Sequence, residues 1–421
     1  MPAALRLVHT ADWHLGQELH GFPREAEHGA FLDWLAGELV RVRADALVVA
    51  GDLFDSQNPP VAAQAMLYRF LRRLSRDLPA LDVVLIAGNH DSAARLEAPA
   101  PLLDALGVRV VGGLPRQAGG ALDLDRLVVP LTGADGRVRA QCVAVPFLRL
   151  PELLAAAPAG DDPAAQLAAG ARELYREAIA GARSRLAPGQ ALVATGHLYL
   201  SGGDVSELSE RRILGGHQHA LPAEIFPDDV VYAALGHLHK PQRVGGRDHV
   251  RYAGSPLPLS VTERDYPHQV VLVELGDGER RITALPVPRT VGYLRVPAHG
   301  AAPSETVLAM LADMILPEGD QRESWPYLEV AVALDRPAPE LRRQVEATLA
   351  GRPVRLARLA VSLAGAGGGP DLAEAPDLAE LAPEQVFAAC WRSRHGGEPE
   401  APLLDAFRTL LAGLDEGEAP S

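Results

Sequence analysis

Five short apolar runs, each followed at once by side chains that commonly bind metal ions, constrain this chain more than any other feature. Short runs of apolar, often β-branched residues are typical of strands buried on both faces of a sheet. The runs and the residues after them are 5–11 with Asp12-Trp13-His14, 46–51 with Asp52, 83–88 with Asn89-His90-Asp91, 191–196 with His197, and 230–236 with His237-Leu238-His239. In open α/β sheets, ligands bind beyond the carboxyl ends of the strands, so these five positions are predicted to meet.

Between these runs, apolar residues recur with helical spacing, most clearly in 31–42, 61–74 and 164–186. Short buried strands that alternate with helices predict an α/β domain, to which we assign residues 1–278. Residues 279–364 differ, because their five predicted elements form a small α+β unit. In order, these are a strand (293–296), a helix (304–315), a strand (327–334), a helix (338–350) and a strand (354–361).

The end of the chain has a different composition. Residues 365–382 are rich in Gly, Pro, Ala and acidic residues, and they predict a flexible linker. Residues 383–421 regain helical spacing, with apolar stripes at 386–391 and 403–414. Two short helices are not stable alone beyond such a linker, so we predict that they dock on a partner protein. Docking on the chain's own catalytic domain is the alternative.

The spacing of the predicted ligands has a physical reason. In an extended segment, residues i and i+2 point to the same side, so Asp12 can face one site with His14, and His237 with His239. Glycine precedes four of the five clusters, and it permits the sharp turns and close backbone approach of a crowded site. These glycines are Gly51, Gly88, Gly196 and Gly236.

The predicted ligand set mixes oxygen and nitrogen and contains no thiolate. Such a set suits Mn, Fe or Zn better than Ca or Mg, which prefer oxygen ligands alone. Seven ligands are too many for one ion, whereas two ions that share a carboxylate would use them all. Asp52 stands alone at the end of its run and is the predicted bridge. The full set is Asp12, His14, Asp52, Asn89, His197, His237 and His239.

Three residues close to predicted ligands are also assigned roles. His90 is predicted to act as a general acid towards a leaving oxygen, with a structural histidine as the alternative. Asp55 and Asp91 are predicted to orient histidines from behind the ligands.

The other histidines are assigned no chemistry. His217 and His219 repeat the Gly-His-x-His pattern, but the apolar run before them is too short for a buried strand, so they are predicted to lie in a loop. His9 is predicted to pack inside the first strand, and His20 and His28 are predicted to face solvent.

Charge and cysteine content limit the classes of function. With 54 acidic and 40 basic residues, the chain has a formal charge of −14, which argues against binding nucleic acid by electrostatics alone. Bound metal ions would reverse the sign at the site itself.

The only cysteines, Cys142 and Cys390, exclude a disulfide framework and a thiolate zinc site, and they favour a cytoplasmic location. Neither a signal peptide nor an apolar stretch of the ~18 residues that span a membrane is recognised.

The order of these motifs resembles that of the calcineurin-like metallophosphoesterases across residues 5–257. A closer resemblance is to the SbcD-type family of nuclease subunits in double-strand-break repair. The matching segments are Thr10-Ala11-Asp12-Trp13-His14-Leu15-Gly16, Gly51-Asp52-Leu53-Phe54-Asp55-Ser56, Leu235-Gly236-His237-Leu238-His239-Lys240-Pro241-Gln242 and Tyr252-Ala253-Gly254-Ser255-Pro256.

This resemblance implies a fold and a chemistry. The fold would be α/β, a metallophosphoesterase sandwich of two mixed β-sheets flanked by helices, with a small α+β capping domain and a helical C-terminal tail that binds a partner. Two divalent ions, manganese in this family, would be held by two groups that share Asp52. The groups are Asp12, His14, Asp52 and His239 for the first ion, and Asp52, Asn89, His197 and His237 for the second. His90 would assist departure of the 3′ oxygen.

The resemblance also implies a substrate and a partner. The chain would be a metal-dependent DNA nuclease that degrades duplex ends and cuts hairpins and single strands together with an SbcC-type coiled-coil ATPase. The alternative is a phosphodiesterase or phosphatase for small molecules or lipids, which the acidic charge would suit better. A scaffold without activity is a third possibility, against which the complete ligand set argues.

Residues 61–74 have apolar side chains on two helical faces. One face carries Val61, Ala65, Tyr68 and Leu71, and the other carries Leu67, Phe70 and Leu74. Because both faces cannot easily pack on one sheet, one is predicted to meet a second copy of the chain, and the family resemblance favours a homodimer. A wholly buried helix is the alternative.

Overall fold

The computed structural model describes residues 5–158, 162–204, 220–276, 278–316, 321–335 and 338–363, with a few further positions between 387 and 407. The chain divides into two compact units. One comprises Met1–Leu294, Ile315–Leu328 and Gly351–Ala357, and the other comprises Arg295–Met314, Glu329–Ala350 and Arg358–Ser421. The domain boundaries assigned from the sequence stay predictions.

Eighteen strands occur within the described residues. In chain order they are β1 (Leu5–Thr10), β2 (Glu18–Leu19), β3 (Phe22–Pro23), β4 (Ala46–Ala50), β5 (Asp82–Ile86), β6 (Val108–Val111), β7 (Val128–Thr132), β8 (Val138–Val145), β9 (Ala191–His197), β10 (Val230–Gly236), β11 (Gln242–Val244), β12 (Arg247–Tyr252), β13 (Gln269–Gly276), β14 (Glu279–Pro286), β15 (Tyr293–Val296), β16 (Ala302–Pro303), β17 (Tyr327–Leu334) and β18 (Arg355–Leu363).

Nine α-helices occur in the same described part of the chain. They are α1 (Glu25–Val42), α2 (Val61–Asp77), α3 (Ala93–Glu97), α4 (Ala100–Asp104), α5 (Leu124–Leu127), α6 (Leu150–Ala156), α7 (Pro163–Arg183), α8 (Ser304–Asp313) and α9 (Leu341–Leu349). The three helices predicted in the α/β region are confirmed as α1, α2 and α7. None of the helices described has the length and apolar character needed to cross a membrane.

Two six-stranded sheets form the framework of the first unit. The first sheet has the order β14-β13-β1-β4-β5-β6, with parallel pairs from β1 to β6 and antiparallel pairs at β13 and β14. The second has the order β11-β12-β10-β9-β8-β7, with parallel pairs in the middle and an antiparallel pair at each edge. Both sheets are therefore mixed, and the predicted α/β sandwich is confirmed.

Alternate residues of β4 enter two different hydrophobic cores. Ala46, Val48 and Ala50 pack in the core that is shared with the second sheet. Leu47 and Val49 pack on the opposite face with residues of α1 and α2. Because successive side chains of a strand point to opposite faces, a strand that is covered on both faces must be apolar throughout. This is why the first sheet appears in the sequence as continuous apolar runs.

The small α+β region also agrees with the sequence analysis. A sheet with the order β15-β17-β16, in which β18 also pairs with β17, is accompanied by α8 and α9. All five elements predicted between residues 293 and 361 are therefore found, with ends that differ by three residues at most.

Several predicted segments lie outside the described residues. These are the linker 365–382, most of the tail 383–421, and the segment with His217 and His219 that was predicted to be a loop. Within the tail, the rings of Phe387 and Phe407 are described, and they stack with their centroids 4.3 Å apart. The helical character of the tail stays a prediction.

Candidate metal centre

The predicted ligands lie at the carboxyl ends of five strands in two sheets. β1, β4 and β5 are neighbours in the first sheet, and β9 and β10 are neighbours in the second. Nδ1 of His197, the last residue of β9, donates to the carbonyl oxygen of Ala50, the last residue of β4, over 2.9 Å. This hydrogen bond joins the two sheets where their ligand-bearing ends meet.

Two of the predicted glycines allow this close approach. A Cβ atom added at Gly236 would overlap the carbonyl oxygen of Ala50, and one added at Gly88 would overlap the carboxylate of Asp52. Neither neighbour can move aside, because one is backbone of a central strand and the other is a buried carboxylate of the centre. Glycine is therefore needed at both positions.

Four predicted ligands have backbones in the left-handed region, which residues other than glycine rarely adopt. The φ angle is 55° at Asp12, 46° at His14, 49° at Asp52 and 108° at His237. Such conformations persist only where surrounding contacts hold them, and they concentrate at functional sites. Here the amides of Asp12 and His14 donate to the carbonyl oxygens of Gly51 and Asp52, both over 3.0 Å. The two turns thus hold each other in place.

Three overlapping groups of buried side chains could each hold a cation. In every group, the candidate ligand atoms lie within 4.8 Å of one another. The groups are Asp12-His14-His239, Asp12-Asp52-His197 and His14-Asp52-His90. Because they share Asp12, His14 and Asp52, they form one continuous centre.

Asp52 lies in the middle of this centre. Its Oδ2 is 3.6 Å from Nε2 of His14 and 3.3 Å from Nε2 of His197. Nε2 of His14 is buried and has no hydrogen-bond partner among the described residues. A buried polar atom without a partner is costly, and a cation that is shared with Asp52 would remove that cost.

Asn89 connects two histidines of the second sheet. Its Oδ1 is 2.8 Å from Nε2 of His197 and 3.2 Å from Nδ1 of His237. Since Nδ1 of His197 donates to a carbonyl, Nε2 of the neutral ring carries a lone pair, which faces oxygen atoms of Asn89 and Asp52. A cation at Nε2, either a proton or a metal ion, makes this arrangement favourable.

The pKa values of Asp12, Asp52 and His197 also indicate a site that favours positive charge. Burial would raise the pKa of Asp52, but His197, with His14 and His90, holds it well below its usual range. Burial opposes the charged form of His197, yet Asp52 and Asp12 raise its pKa to about 9. Burial raises the pKa of Asp12 to about 6, against the opposing effect of His197. The centre therefore favours positive charge, as a site for a metal ion does.

The donor set fits a divalent metal ion. Burial lowers the pKa of His237 to about 3, so its ring is neutral, as a metal ligand must be. The backbone amide of His237 donates to Oδ1 of Asp12 over 2.9 Å and fixes this carboxylate. Buried imidazole, carboxylate and amide groups without sulfur suit Mn, Fe or Zn.

His90 borders the centre on the side of β5. Its backbone amide donates to Oδ1 of Asp52, and its Nδ1 donates to the carbonyl oxygen of Asp55, both over 2.8 Å. Its ring lies edge-on to His14, with the centroids 4.7 Å apart. Because a carbonyl oxygen can only accept, Nδ1 holds a proton, and Nε2 is the atom through which His90 can exchange one.

The two carboxylates that were expected to orient histidines differ in their contacts. Oδ1 of Asp55 is 3.1 Å from Nδ1 of His14, as expected. Asp91 instead accepts hydrogen bonds over 2.9–3.1 Å from three backbone amides, those of Leu53, Phe54 and Gly88. Asp91 therefore joins the turns that follow β4 and β5, and the expectation that it orients an imidazole is corrected.

Among the histidines outside the ligand set, the two that were expected to face solvent require correction. His20 is half-buried, and its Nε2 lies out of contact with solvent. His9 is packed in β1 as predicted, and its ring contacts the hydroxyl of Tyr232 at 2.9 Å. His28 was expected to face solvent, but it is only 1% exposed. The helix α1 begins at Glu25, earlier than predicted, and His28 therefore lies on the same helical face as Phe31 and Leu32, which pack in the core.

Glu263 is a site residue that the sequence analysis did not identify. Its fully buried carboxylate contacts Nδ1 of His239 through Oε1 at 2.9 Å and accepts the amide of Leu259 through Oε2 at 2.8 Å. The carbonyl oxygen of Leu259 accepts in turn from Nε2 of Gln17 at 2.8 Å. A carboxylate behind a ligating histidine fixes the tautomer and orientation of the ring. No strand-like run precedes Glu263, so the strand-end pattern could not identify it.

Replacing Glu263 by glutamine tests this positioning role. Glutamine keeps the shape and can still accept from Leu259, but it removes the negative charge behind His239. We expect metal affinity, measured by calorimetric titration of the metal-free protein, to fall by about 10–100-fold. The matched control is Glu173→Gln on α7, whose side chain is 44% exposed and pairs with Arg176. Equal affinities in the two variants would exclude the role, provided that both melt as the unaltered protein does.

Family comparisons agree with this chemistry. The sequence model of the calcineurin-like phosphoesterase family matches residues 5–241, more than half of the chain. A second family model, described as the Type 5 capsule protein repressor C-terminal domain, matches residues 294–395. The first match contains all seven predicted ligands.

Three curated relatives share most of their length with this chain, and each is named as the D subunit of nuclease SbcCD. The relative from Rhodobacter capsulatus is 45% identical over 391 residues, which are 92% of this chain and 94% of that protein. The Escherichia coli relative is 34% identical over 84% of each chain. The Bacillus subtilis relative is 33% identical over 80% of this chain and 82% of that protein. The chain therefore belongs to the calcineurin-like phosphoesterases and, within them, to the SbcD family of nuclease subunits.

Proposed function

We propose that this chain is the nuclease subunit of a DNA-repair complex and that it hydrolyses phosphodiester bonds of DNA at the centre around Asp52. The observation that carries the proposal is the combination of a buried, mixed-donor centre with 45% identity over nearly the full length of a relative named as a nuclease subunit. The substrates are duplex ends, hairpins and single strands.

The centre is proposed to hold two divalent ions, manganese by family resemblance. Asp12, His14 and His239 would hold one ion, and Asn89, His197 and His237 the other. Asp52 would bridge them, and the position of its Oδ2 between His14 and His197 supports this role. When bound, such a pair clamps the scissile phosphate and activates a water molecule for in-line attack.

The protein groups around the centre have distinct proposed roles. His90 is proposed to donate a proton through Nε2 to the leaving 3′ oxygen, since its Nδ1 is already committed to the carbonyl of Asp55. Asp55 and Glu263 are proposed to hold the rings of His14 and His239 from behind. The chain thus supplies orientation and proton transfer.

A direct assay tests the proposal against its main alternative. Purified full-length protein with manganese is incubated with linear duplex DNA, hairpin DNA and bis(p-nitrophenyl) phosphate, and the three rates are compared. We expect both DNA substrates to be cut. Hydrolysis of the small diester alone would instead support a small-molecule phosphodiesterase, which the net charge of −14 would suit.

The partner is proposed to be an SbcC-type coiled-coil ATPase, because the names of the three relatives place them in the SbcCD nuclease. The segment proposed to bind it is the tail 383–421. A chain that ends at residue 364 should keep manganese-dependent nuclease activity but fail to co-purify with the ATPase. Complex formation by this shortened chain would refute the assignment of the tail.

The chain is also proposed to form a homodimer through α2. Val61, at the start of this helix, is 81% exposed, and Tyr68 is only half-buried. Leu71, which was predicted on the same face as Val61 and Tyr68, is buried with Leu67, so the exposed part of that face is narrower than the apolar spacing indicates. Light scattering at micromolar concentration measures the mass of the assembly, and a monomer mass would refute the dimer.

A further inference from the structure

Arg149 lies on a segment that borders the metal centre and to which the proposed mechanism assigns no role. β8 ends at Val145, which is paired in parallel register with Gly196, so the chain leaves β8 directly beside His197. The amide of Phe147 donates to the carbonyl oxygen of Ala87 over 2.8 Å. The ring of Phe147 lies edge-on to His197, with the centroids 6.1 Å apart. The segment 146–149 therefore runs along the rim of the centre.

The guanidinium of Arg149 points towards the turn that carries Asn89 and His90. Its Nη2 donates to the carbonyl oxygen of Asp91 over 3.0 Å, one residue beyond His90. This contact places a permanent positive charge on the turn that carries His90, the residue that is proposed to protonate the leaving oxygen. A guanidinium has five N–H donors, so one hydrogen bond leaves most of its capacity available.

No carboxylate within the described part of the chain forms an ion pair with Arg149. The nearest acid in sequence, Glu152, uses its oxygens to accept the amides of Arg149 and Leu114, at 2.6 and 3.3 Å. Arg149 is also half-buried. A guanidinium that is held in place by a hydrogen bond but has no counter-charge can bind an anionic group of a ligand.

The net negative charge of the whole chain makes local cations important for DNA binding. At a formal −14, the protein repels the DNA backbone at long range, so contacts with phosphate must come from local cations near the site. The planar fork of arginine matches two oxygens of a phosphodiester, which makes it well suited to such a contact.

We infer that Arg149 binds the phosphodiester next to the scissile one and so makes the centre select a nucleic-acid strand over an isolated phosphodiester. The inference rests on the proposed nuclease function, because a small substrate has no second phosphate. The hydrogen bond to Asp91 orients the guanidinium, and the remaining N–H groups receive the phosphate oxygens. Arg149 is thus a residue for substrate selection, and the proton transfer stays with His90.

Two substitutions and one control test the inference in the full-length protein with manganese. Arg149→Gln removes the charge but keeps a donor for the carbonyl of Asp91. Arg149→Lys keeps the charge but loses the planar fork. Arg137→Gln is the control, because Arg137 is exposed and precedes β8 at the end opposite Val145. Linear duplex DNA and bis(p-nitrophenyl) phosphate are the two substrates, each measured over a series of salt concentrations.

For Arg149→Gln, we expect kcat/KM on DNA to fall about tenfold further than kcat/KM on the small diester, mainly through KM. The slope of log(1/KM) against log salt should become less steep by about one, as one phosphate contact is lost. Arg149→Lys should keep the salt slope and recover part of the selectivity. Arg137→Gln should keep the substrate ratio of the unaltered protein.

Two outcomes would overturn the inference. If Arg149→Gln lowers kcat/KM on both substrates by the same factor, the residue only holds the Asp91 turn. If it changes kcat/KM on neither substrate, the residue contacts no phosphate of the DNA. Failure of the unaltered protein to cut DNA, while it hydrolyses the small diester, would instead refute the nuclease proposal itself.

Discussion

Asp52→Asn is expected to abolish activity and to weaken both metal ions together. The side chain is 3.6 Å from Nε2 of His14 and 3.3 Å from Nε2 of His197, so one carboxylate serves both halves of the centre. Asparagine keeps the volume and removes the negative charge. We expect nuclease activity to fall by more than about 10³-fold, because the positioned cations supply several kcal/mol of transition-state stabilisation.

Metal content measured on the same preparation distinguishes a bridge from a ligand to one ion. Loss of a residue that only orients a metal ligand weakens metal affinity by about 10–100-fold. If Asp52 bridges the two ions, the affinity for each ion should fall by at least that factor. Asp33→Asn is the control, since Asp33 lies on α1 with its side chain 78% exposed. Two ions per chain at unaltered affinity in Asp52→Asn would show that the bridging role is wrong.

His90→Ala is expected to separate turnover from metal binding. The imidazole donates through Nδ1 to the carbonyl of Asp55, and Nε2 is the nitrogen that is proposed to protonate the leaving oxygen. Loss of a general acid lowers turnover by about 10²–10⁴-fold. Metal content should stay at two ions per chain, because the proposed ligand groups do not include His90.

The same experiment tests whether His90 is instead a metal ligand. His90 forms a potential cation site with His14 and Asp52. If His90→Ala loses metal in proportion to activity, His90 is a ligand and not an acid. A DNA substrate with a better leaving group at the 3′ oxygen adds a second measurement. It should recover part of the turnover only if proton donation is what the variant lacks.

The part of the site that was predictable from the sequence is the part set by strand geometry. A buried strand appears as a continuous apolar run, and its carboxyl end is visible as the point where polar residues begin. Asp52 after β4 and His197 at the end of β9 could therefore be assigned to one place before any coordinates were known. The glycine at position 236 could be assigned for the same reason, since two sheets that meet leave no room for a Cβ.

The other residues of the site lie on loops, and no local sequence pattern determines where a loop places its side chains. Glu263 reaches His239 from a single 3₁₀ turn, and Arg149 reaches Asp91 from the segment after β8. No strand-like run precedes Glu263, and Pro146, Phe147 and Leu148 separate Arg149 from the end of β8, so neither residue stands at a strand end in the sequence. Asp91 was placed correctly next to the ligands, but its partners are backbone amides, which have no signature in the sequence. The burial of His28 was missed because helix ends are poorly defined by apolar spacing.

The left-handed backbone conformations of four residues have a consequence for the stability of the metal-free protein. These residues are Asp12, His14, Asp52 and His237. Each such conformation costs on the order of 1–3 kcal/mol, and like-charged carboxylates and crowded imidazoles add to the cost while no cation is bound. Binding of the proposed ions would therefore offset this cost, and its free energy would appear as local stability of these turns. In the metal-free chain these turns would open more readily than in the metal-loaded protein, and limited proteolysis would detect the difference.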